Sequence, residues 1–405
     1  MLKKNLTRRH LIKSLGAGLG GGILFWHPVI QNITYAKEDS DEKKILVILE
    51  LSGGNDGLNT LVPFENDAYY RNRPKIAIQK NKVRKISDEF GFNPGLAGFE
   101  RLYKEGKMAI IHGCGYEQPS FSHFTSMAYW HTAAPNSGEQ SGWVGRLGDA
   151  ITSETLNNPI INIDSEQSLA VTANKVVPVV FDNPGSFIRK GLHQEKKILE
   201  NIENSGACTS KVCNFLSDLA QSANGASALV RDAWQQYNSP VDYGLDPVDL
   251  NKIASLIEYG MDTRLYYTSF RNNAFDTHVQ QNNLHQRLLT YASDAVAGFF
   301  SDMKRIGREN DVTMMIFSEF GRRVPENTSL GTDHGTANHV YVIGNKVRGG
   351  HYGDPPSLTE LDEGDNFEFT TDFRRVYASI IENWMGFDNS EKILKGKFET
   401  FKIFS

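Results

Sequence analysis

The sequence predicts an α/β fold, a mostly parallel sheet with helices on both faces. Two observations carry that expectation: short runs of continuous apolar residues, and amphipathic stretches at helical spacing between them. Ile45-Leu46-Val47-Ile48-Leu49 has no polar side, which is the composition of a strand covered on both faces. From Pro94 to Gly106, Leu96, Phe99, Leu102 and Tyr103 fall at helical spacing, and Gly106 supplies the stop. Met108 to His112 reads as the second strand, and Ser122 to Thr132 as the helix after it. Leu265 to Phe270 is the third strand. A long helix from Asn283 to Arg308 carries Leu284, Leu288, Tyr291, Ala295, Phe299 and Met303 on one side. Val312 to Phe317 and Val340 to Ile343 are the fourth and fifth strands. Thr371 is placed to cap a last helix from Asp372 to about Met385. The middle, residues 157 to 244, is less regular. It holds β-rich pieces at 160–163 and 176–181, Cys208 and Cys213, and a polar helix near 212–237, and reads as an insertion or cap on the sheet.

The first residues read as a twin-arginine export signal. Lys3, Lys4, Arg8, Arg9 and Lys13 precede any acidic residue, and a Gly-rich apolar stretch runs from Leu15 to Ile30. His27 and Pro28 cut that stretch well short of the ~20 residues a membrane span needs. Thr34-Tyr35-Ala36 offers a small-x-small cleavage site, so 1–36 is the expected signal peptide and 37–405 a single mature α/β domain. The implied partner is the twin-arginine export machinery, and the implied location is periplasmic or extracellular.

Removing 1–36 takes five of the 43 basic residues and none of the 48 acidic ones, so the mature net charge moves from −5 to −10. That excess opposes binding to nucleic acid or to an anionic membrane surface. Hydrophobic content of 40% and aromatic content of 11% are those of a folded domain and exclude extended disorder. Cys208 and Cys213 are close enough in sequence to pair in an oxidising compartment, which leaves Cys114 buried beside a strand.

In open α/β sheets ligands bind beyond the carboxyl ends of the strands. After the first strand comes Ser52-Gly53-Gly54-Asn55-Asp56-Gly57. The second leads to Ser120-Phe121-Ser122-His123, and the third to Asp276-Thr277-His278. The fourth leads to Ser318-Glu319-Phe320-Gly321-Arg322, then Asp333-His334-Gly335 and His339. Carboxylates, histidines and a hydroxyl thus gather at one edge, a mixture of oxygen and nitrogen donors that suits one or two divalent ions such as zinc or manganese. Each group also has an ordinary structural role. Asp56 can satisfy loop amides, Asp276 can cap a helix, and Glu319 can pair with Arg322 or Arg323. Ser122 can serve as the cap of its helix, or present a hydroxyl at the positive end of the helix dipole, where a bound metal would make it a nucleophile. Ser120 is the competing hydroxyl. His123 and His131 read as packing or surface histidines, and His112 as a satisfied core histidine.

These same segments resemble the bacterial exported family called domain of unknown function 1501, within the alkaline phosphatase and sulfatase superfamily. The carriers are Leu51 to Thr60, His112 to Gly115 with Ser122-His123-Phe124, Phe275 to His278, Ser318 to Arg322, Thr332 to His339, and Thr371 to Arg374 with Trp384. The resemblance implies an alkaline phosphatase/sulfatase-like fold and two metal positions: Asp56, Ser122 and Glu319 at one, and Asp276, His278 and His334 or His339 at the other, with Asp333 beside His334. It implies an exported metal-dependent hydrolase of phosphate or sulfate esters, with Ser122 as nucleophile and a small anionic ester or an envelope component as partner. Three departures stand out. Glu319-Phe320 replaces an Asp-His pair, Asp276 and His278 are closer together than usual, and the serine lacks a distinctive flanking motif. They leave open a non-catalytic periplasmic binding or assembly factor that keeps the fold.

Overall fold

Continuous apolar runs become strands because a sheet with helices on both faces leaves none of their side chains in water. The computed structural model, which describes residues 43–152, 158–187 and 226–405, places each expected run in one nine-stranded sheet. Its strands are β1 (Ile45–Leu51), β2 (Met108–Gly115), β3 (Ile160–Ile163), β4 (Val179–Phe181), β5 (Leu265–Phe270), β6 (Val312–Phe317), β7 (Asn338–Gly344), β8 (Gly350–Tyr352) and β9 (Thr371–Asp372). The spatial order is β8-β2-β7-β6-β1-β5-β3-β4, with β9 also paired to β2. All pairings are parallel except those of β7, which runs antiparallel to both β6 and β2. Alternate residues of β1 feed two cores. Ile45, Val47 and Leu49 pack with α2 (Ala97–Lys104), α5 (Leu250–Tyr259) and α6 (Gln281–Arg305). Leu46 and Ile48 pack with α3 (His123–Thr132), α4 (Trp143–Ile151) and α7 (Arg374–Ser379). A one-turn helix, α1 (Gly57–Thr60), follows β1.

Three details differ from the sequence reading. The segment 157–244 is not merely a cap: Ile160–Ile163 and Val179–Phe181 extend the sheet beyond β5, in parallel register. Runs of four and three residues do not show the long buried pattern that marks a central strand, so as sequence they read as β-rich pieces of an insertion. Thr371 lies in β9 rather than capping a helix. Asp372 supplies the local acceptor instead, taking the Arg374 N–H at 2.9 Å. The last helix also changes character, passing from α7 into a π-helical turn over Ile380–Trp384. Cys114 is buried in β2 with a free thiol, and burial pushes its pKa up. The expected signal segment 1–36 and the Cys208/Cys213 pair lie outside the described residues. Among the described residues, no helix is long and apolar enough to cross a membrane.

The reversed strand positions the site. β1, β2, β5 and β6 point their carboxyl ends to one edge. Because β7 runs the other way, the loop 333–337 that enters it lies at that same edge.

Candidate metal centre

Arg322 ties that edge together. Its buried guanidinium donates to the carbonyls of Gly54 (2.6 Å), Gly53 (2.5 Å), Thr332 (2.9 Å) and Phe275 (3.2 Å), and to Asp276 Oδ1 at 2.7 Å. One side chain from the β6 loop thus clamps the loops after β1 and β5 and the loop before β7. Gly53 and Gly54 allow the close approach. Both have positive φ (114° and 67°). A Cβ on Gly53 would lie 2.6 Å from the Asn273 carbonyl oxygen, and one on Gly54 would lie 2.2 Å from the Phe320 ring.

Around Asp276 three imidazoles converge. His334 Nε2 lies 3.1 Å and His278 Nε2 3.0 Å from Asp276 Oδ1, and His123 Nε2 lies 3.4 Å from Oδ2. His123, Asp276 and His334 form a group whose ligand atoms all lie within 4.8 Å of one another. Each ring is anchored through its other nitrogen. His123 Nδ1 meets Glu319 Oε1 at 2.7 Å, His278 Nδ1 meets Asp333 Oδ1 at 3.3 Å, and His334 Nδ1 meets the Phe121 carbonyl at 2.7 Å. Those three partners are acceptors, so Nδ1 carries the proton in each ring and Nε2 presents its lone pair. His278 and His334 then bring two lone pairs to 2.9 Å of each other, beside a carboxylate. His123 Nε2 is buried with no hydrogen-bond partner. Arg322 donates to Asp276 Oδ1, but the three Nε2 lone pairs beside it face no N–H or O–H donor, which a proton or a cation at their centre would satisfy. Imidazoles oriented through Nδ1 by carboxylates or carbonyls, facing one carboxylate, are the donor set of a zinc-type ion. The residues present therefore fit such an ion.

The electrostatics follow from these contacts. Burial raises the Asp276 pKa, but Arg322, His334 and His278 outweigh it and hold the carboxyl at about 2. His123 is raised, chiefly by its hydrogen bond to Glu319. His334 is lowered by burial, with the nearby Arg322 adding to the effect. The hydrogen bond from Asn327, followed by that from His278, keeps Asp333 below the usual carboxylate range.

The expected ligands divide into those in the cluster, those behind it and those apart from it. Asp276, His278 and His334 come together, while Asp333 and Glu319 stand behind His278 and His123. Glu319 is fully buried. Its carboxylate accepts from Gly53 N–H (2.9 and 3.1 Å), Gly54 N–H (3.0 Å) and the Ser318 hydroxyl (3.1 Å) as well as from His123, so it acts as an anchor. Asp56 stands apart. It caps α1 and forms an ion pair with the fully buried Arg73 at 2.6 Å, with Gln281 donating to the same oxygen at 2.5 Å. Its charge is thus committed to a cation seventeen residues downstream. His339 is also apart: it lies inside β7, with its ring 5.1 Å from His112 of β2. Ser122 is exposed at the start of α3, and its hydroxyl makes no capping bond. His123 was not expected here. Its position one residue into a helix that starts at this sheet edge is the signal that could have found it. His131 is a packing residue, buried against Glu50 and Tyr267 at 2.8 Å each. His112 is only half satisfied: it contacts His351 at 2.7 Å, while its Nδ1 has no partner.

Buried histidines away from the cluster make stability sensitive to acid. Burial holds His112 at about 2, and His285 and His339 at about 4. Each stays neutral in the fold while the unfolded side chain protonates near ~6.5. Their contribution is full above that pH and is lost as pH falls through the range toward the folded values. Urea unfolding between pH 7.5 and 4.5 should show stability falling with a slope approaching ~4 kcal/mol per pH unit for three protons. A flat profile would contradict the assignment.

Residues 252–391 match the model of the family described as "Protein of unknown function (DUF1501)". No curated protein matches the chain. Among solved structures it is similar to a protein in the alkaline phosphatase superfamily from Vibrio parahaemolyticus, with 12% identity over 78% of this chain and 63% of that one and a TM-score of 0.36. It thus spans less than two thirds of that protein's length. It is also similar to the lipoteichoic acid synthase LtaP from Listeria monocytogenes (11% identity, 88% of this chain, 75% of that one, TM-score 0.41). A third is the C-terminal periplasmic domain of EcEptC from Escherichia coli in complex with Zn (10% identity, 76% of this chain, 74% of that one, TM-score 0.38). Over residues 252–391, which hold Asp276, His278, Glu319, Asp333 and His334, the chain carries the sequence pattern of the DUF1501 family, the family its motifs resemble.

Proposed function

We propose that this chain is an exported, metal-dependent hydrolase of phosphate or sulfate esters. The observation that carries the reading is the convergence of three Nδ1-anchored imidazoles on the Asp276 carboxylate. His123, Asp276, His278 and His334 would hold one divalent ion, zinc or manganese. When bound, it supplies Lewis-acid charge to the ester oxygens and to a hydroxyl nearby. The chain's own residues do the rest. Glu319, Asp333 and the Phe121 carbonyl keep the ring protons on Nδ1, and Arg322 keeps Asp276 ionised. Ser122, free of any capping bond at the amino end of α3, supplies the nucleophile. A bond forms between Ser122 Oγ and phosphorus or sulfur as the bond to the ester oxygen breaks. The serine proton leaves with the alcohol, and water then releases phosphate or sulfate from the serine. The export-type start at 1–36 supports a site of action outside the cytoplasm.

The commitment of Glu319 to loop amides and of Asp56 to Arg73 favours one ion over two. Protein purified from the periplasm should carry about one zinc or manganese per chain and hydrolyse 4-nitrophenyl phosphate or 4-nitrophenyl sulfate. Failure to bind either metal after reconstitution would overturn the proposal. Metal without turnover would favour the binding or assembly factor, a reading supported by the absence of a second carboxylate-histidine pair at Glu319-Phe320. Ser122→Ala should abolish hydrolysis and leave metal content intact. Because the hydroxyl caps nothing, the stability cost should stay at or below ~0.5 kcal/mol, the low end for losing a cap. If Ser120→Ala alone abolishes activity, the assignment of Ser122 is overturned.

A further inference from the structure

The segments that carry the cluster histidines also expose large apolar side chains. Phe124, next to His123, is 87% exposed, and Val279, next to His278, is 62% exposed. Phe121, whose carbonyl holds His334, is 42% exposed. Scattered apolar residues on a surface are ordinary. Three fall within two residues of cluster histidines, on two segments that His123 and Asp276 bring within 3.4 Å of each other.

Charge sharpens the point. Between Glu117 and Glu139 the chain has no Lys, Arg, Asp or Glu, and between Arg271 and Arg287 its one formally charged residue is Asp276. Arg322, the cation nearest Asp276, is buried and already donates to four carbonyls. These lips offer no cation to a second phosphate and no acid to an amine. What they offer beyond the cluster is large apolar side chains among uncharged polar ones.

We propose that Phe121, Phe124 and Val279 receive the hydrocarbon part of the substrate, so that the ester taken by the neighbouring histidines is amphiphilic: a phosphate or sulfate monoester of a long-chain alcohol or lipid. This rests on the hydrolase reading and adds the substrate class to it. The cluster recognises the anionic head, and the adjoining side chains recognise the chain attached to it.

The test compares ethyl and octyl phosphate, and ethyl and octyl sulfate, on the metal-loaded mature protein. Binding is read by calorimetry and hydrolysis in parallel. The octyl ester of the preferred anion should bind at least about tenfold more tightly than the ethyl ester, because six further methylenes are partly withdrawn from water. In Phe124→Ala/Val279→Ser that preference should drop below about threefold while ethyl ester binding stays unchanged; Phe121 is left in place because its carbonyl holds His334. Equal binding of the two chain lengths, or a preference that survives the double substitution, overturns the proposal. Absence of hydrolysis with the binding preference intact overturns the hydrolase reading and supports the apolar recognition surface. If chain length has no effect but the protein sediments with phosphatidylglycerol vesicles in a Phe124- and Val279-dependent way, the surface docks on a bilayer and the proposal is overturned.

Discussion

Asp276→Ala is expected to empty the metal centre and reduce ester hydrolysis by at least about 10²–10³-fold, the scale set by losing one preorganised charge at a reacting centre. Its carboxylate is the point on which His123, His278 and His334 converge, at 3.4, 3.0 and 3.1 Å. Removing it leaves three imidazoles facing one another with no carboxylate among them, since Glu319 and Asp333 stand behind the rings. The loss should appear in elemental analysis as well as in turnover. The fold should survive, because Arg322 retains its bonds to the carbonyls of Gly53, Gly54, Phe275 and Thr332. His334→Ala should behave alike. A variant that keeps its ion and loses only activity would mean that the cluster is not the binding site.

The second large effect is on stability. Asp56→Ala should lower the unfolding free energy by about 3–5 kcal/mol, because it strands Arg73 as an uncompensated buried charge. Both side chains are essentially sealed from water, at 1% and 0% exposure. Burial alone would raise the Asp56 pKa, but Arg73, His285 and Gln281 outweigh it and the carboxyl is lowered. A carboxyl lowered in the fold contributes stability that is present above its unfolded value and lost as pH falls through the folded one. The penalty for the substitution should therefore be largest at neutral pH and shrink in strong acid. Metal content should not change. Loss of metal in Asp56→Ala with little loss of stability would return Asp56 to the ligand set.

Much of the architecture was legible because it is local. Ile45–Leu49, Met108–His112, Leu265–Phe270 and Val312–Phe317 are short and mainly apolar or β-branched, which suits strands covered on both faces. The period of 3.6 marks α6 just as directly. Loops that follow such strands gather at one edge, which is why Asp276, His278, His334, Asp333 and Glu319 could be named before their positions were known.

Roles within the site depend on partners far along the chain. Asp56 and Glu319 are both carboxylates in Gly-rich loops at the same edge, and nothing in their local sequence distinguishes them. Their roles come from Arg73 in one case and from the amides of Gly53 and Gly54, 266 and 265 residues away, in the other. His123 reads as a helix-surface residue until Glu319, 196 residues later, takes its Nδ1. His339 sits five residues from His334 in sequence, yet strand β7 carries it toward His112 and away from Asp276. The sequence by itself determined which segments are buried and which edge collects the polar groups, because burial and periodicity are properties of neighbouring residues. Only the tertiary structure decided which groups face a cation and which anchor, cap or pair with them, because a side chain's role there is set by the one or two atoms within 3 Å of it, and those atoms come from remote parts of the chain.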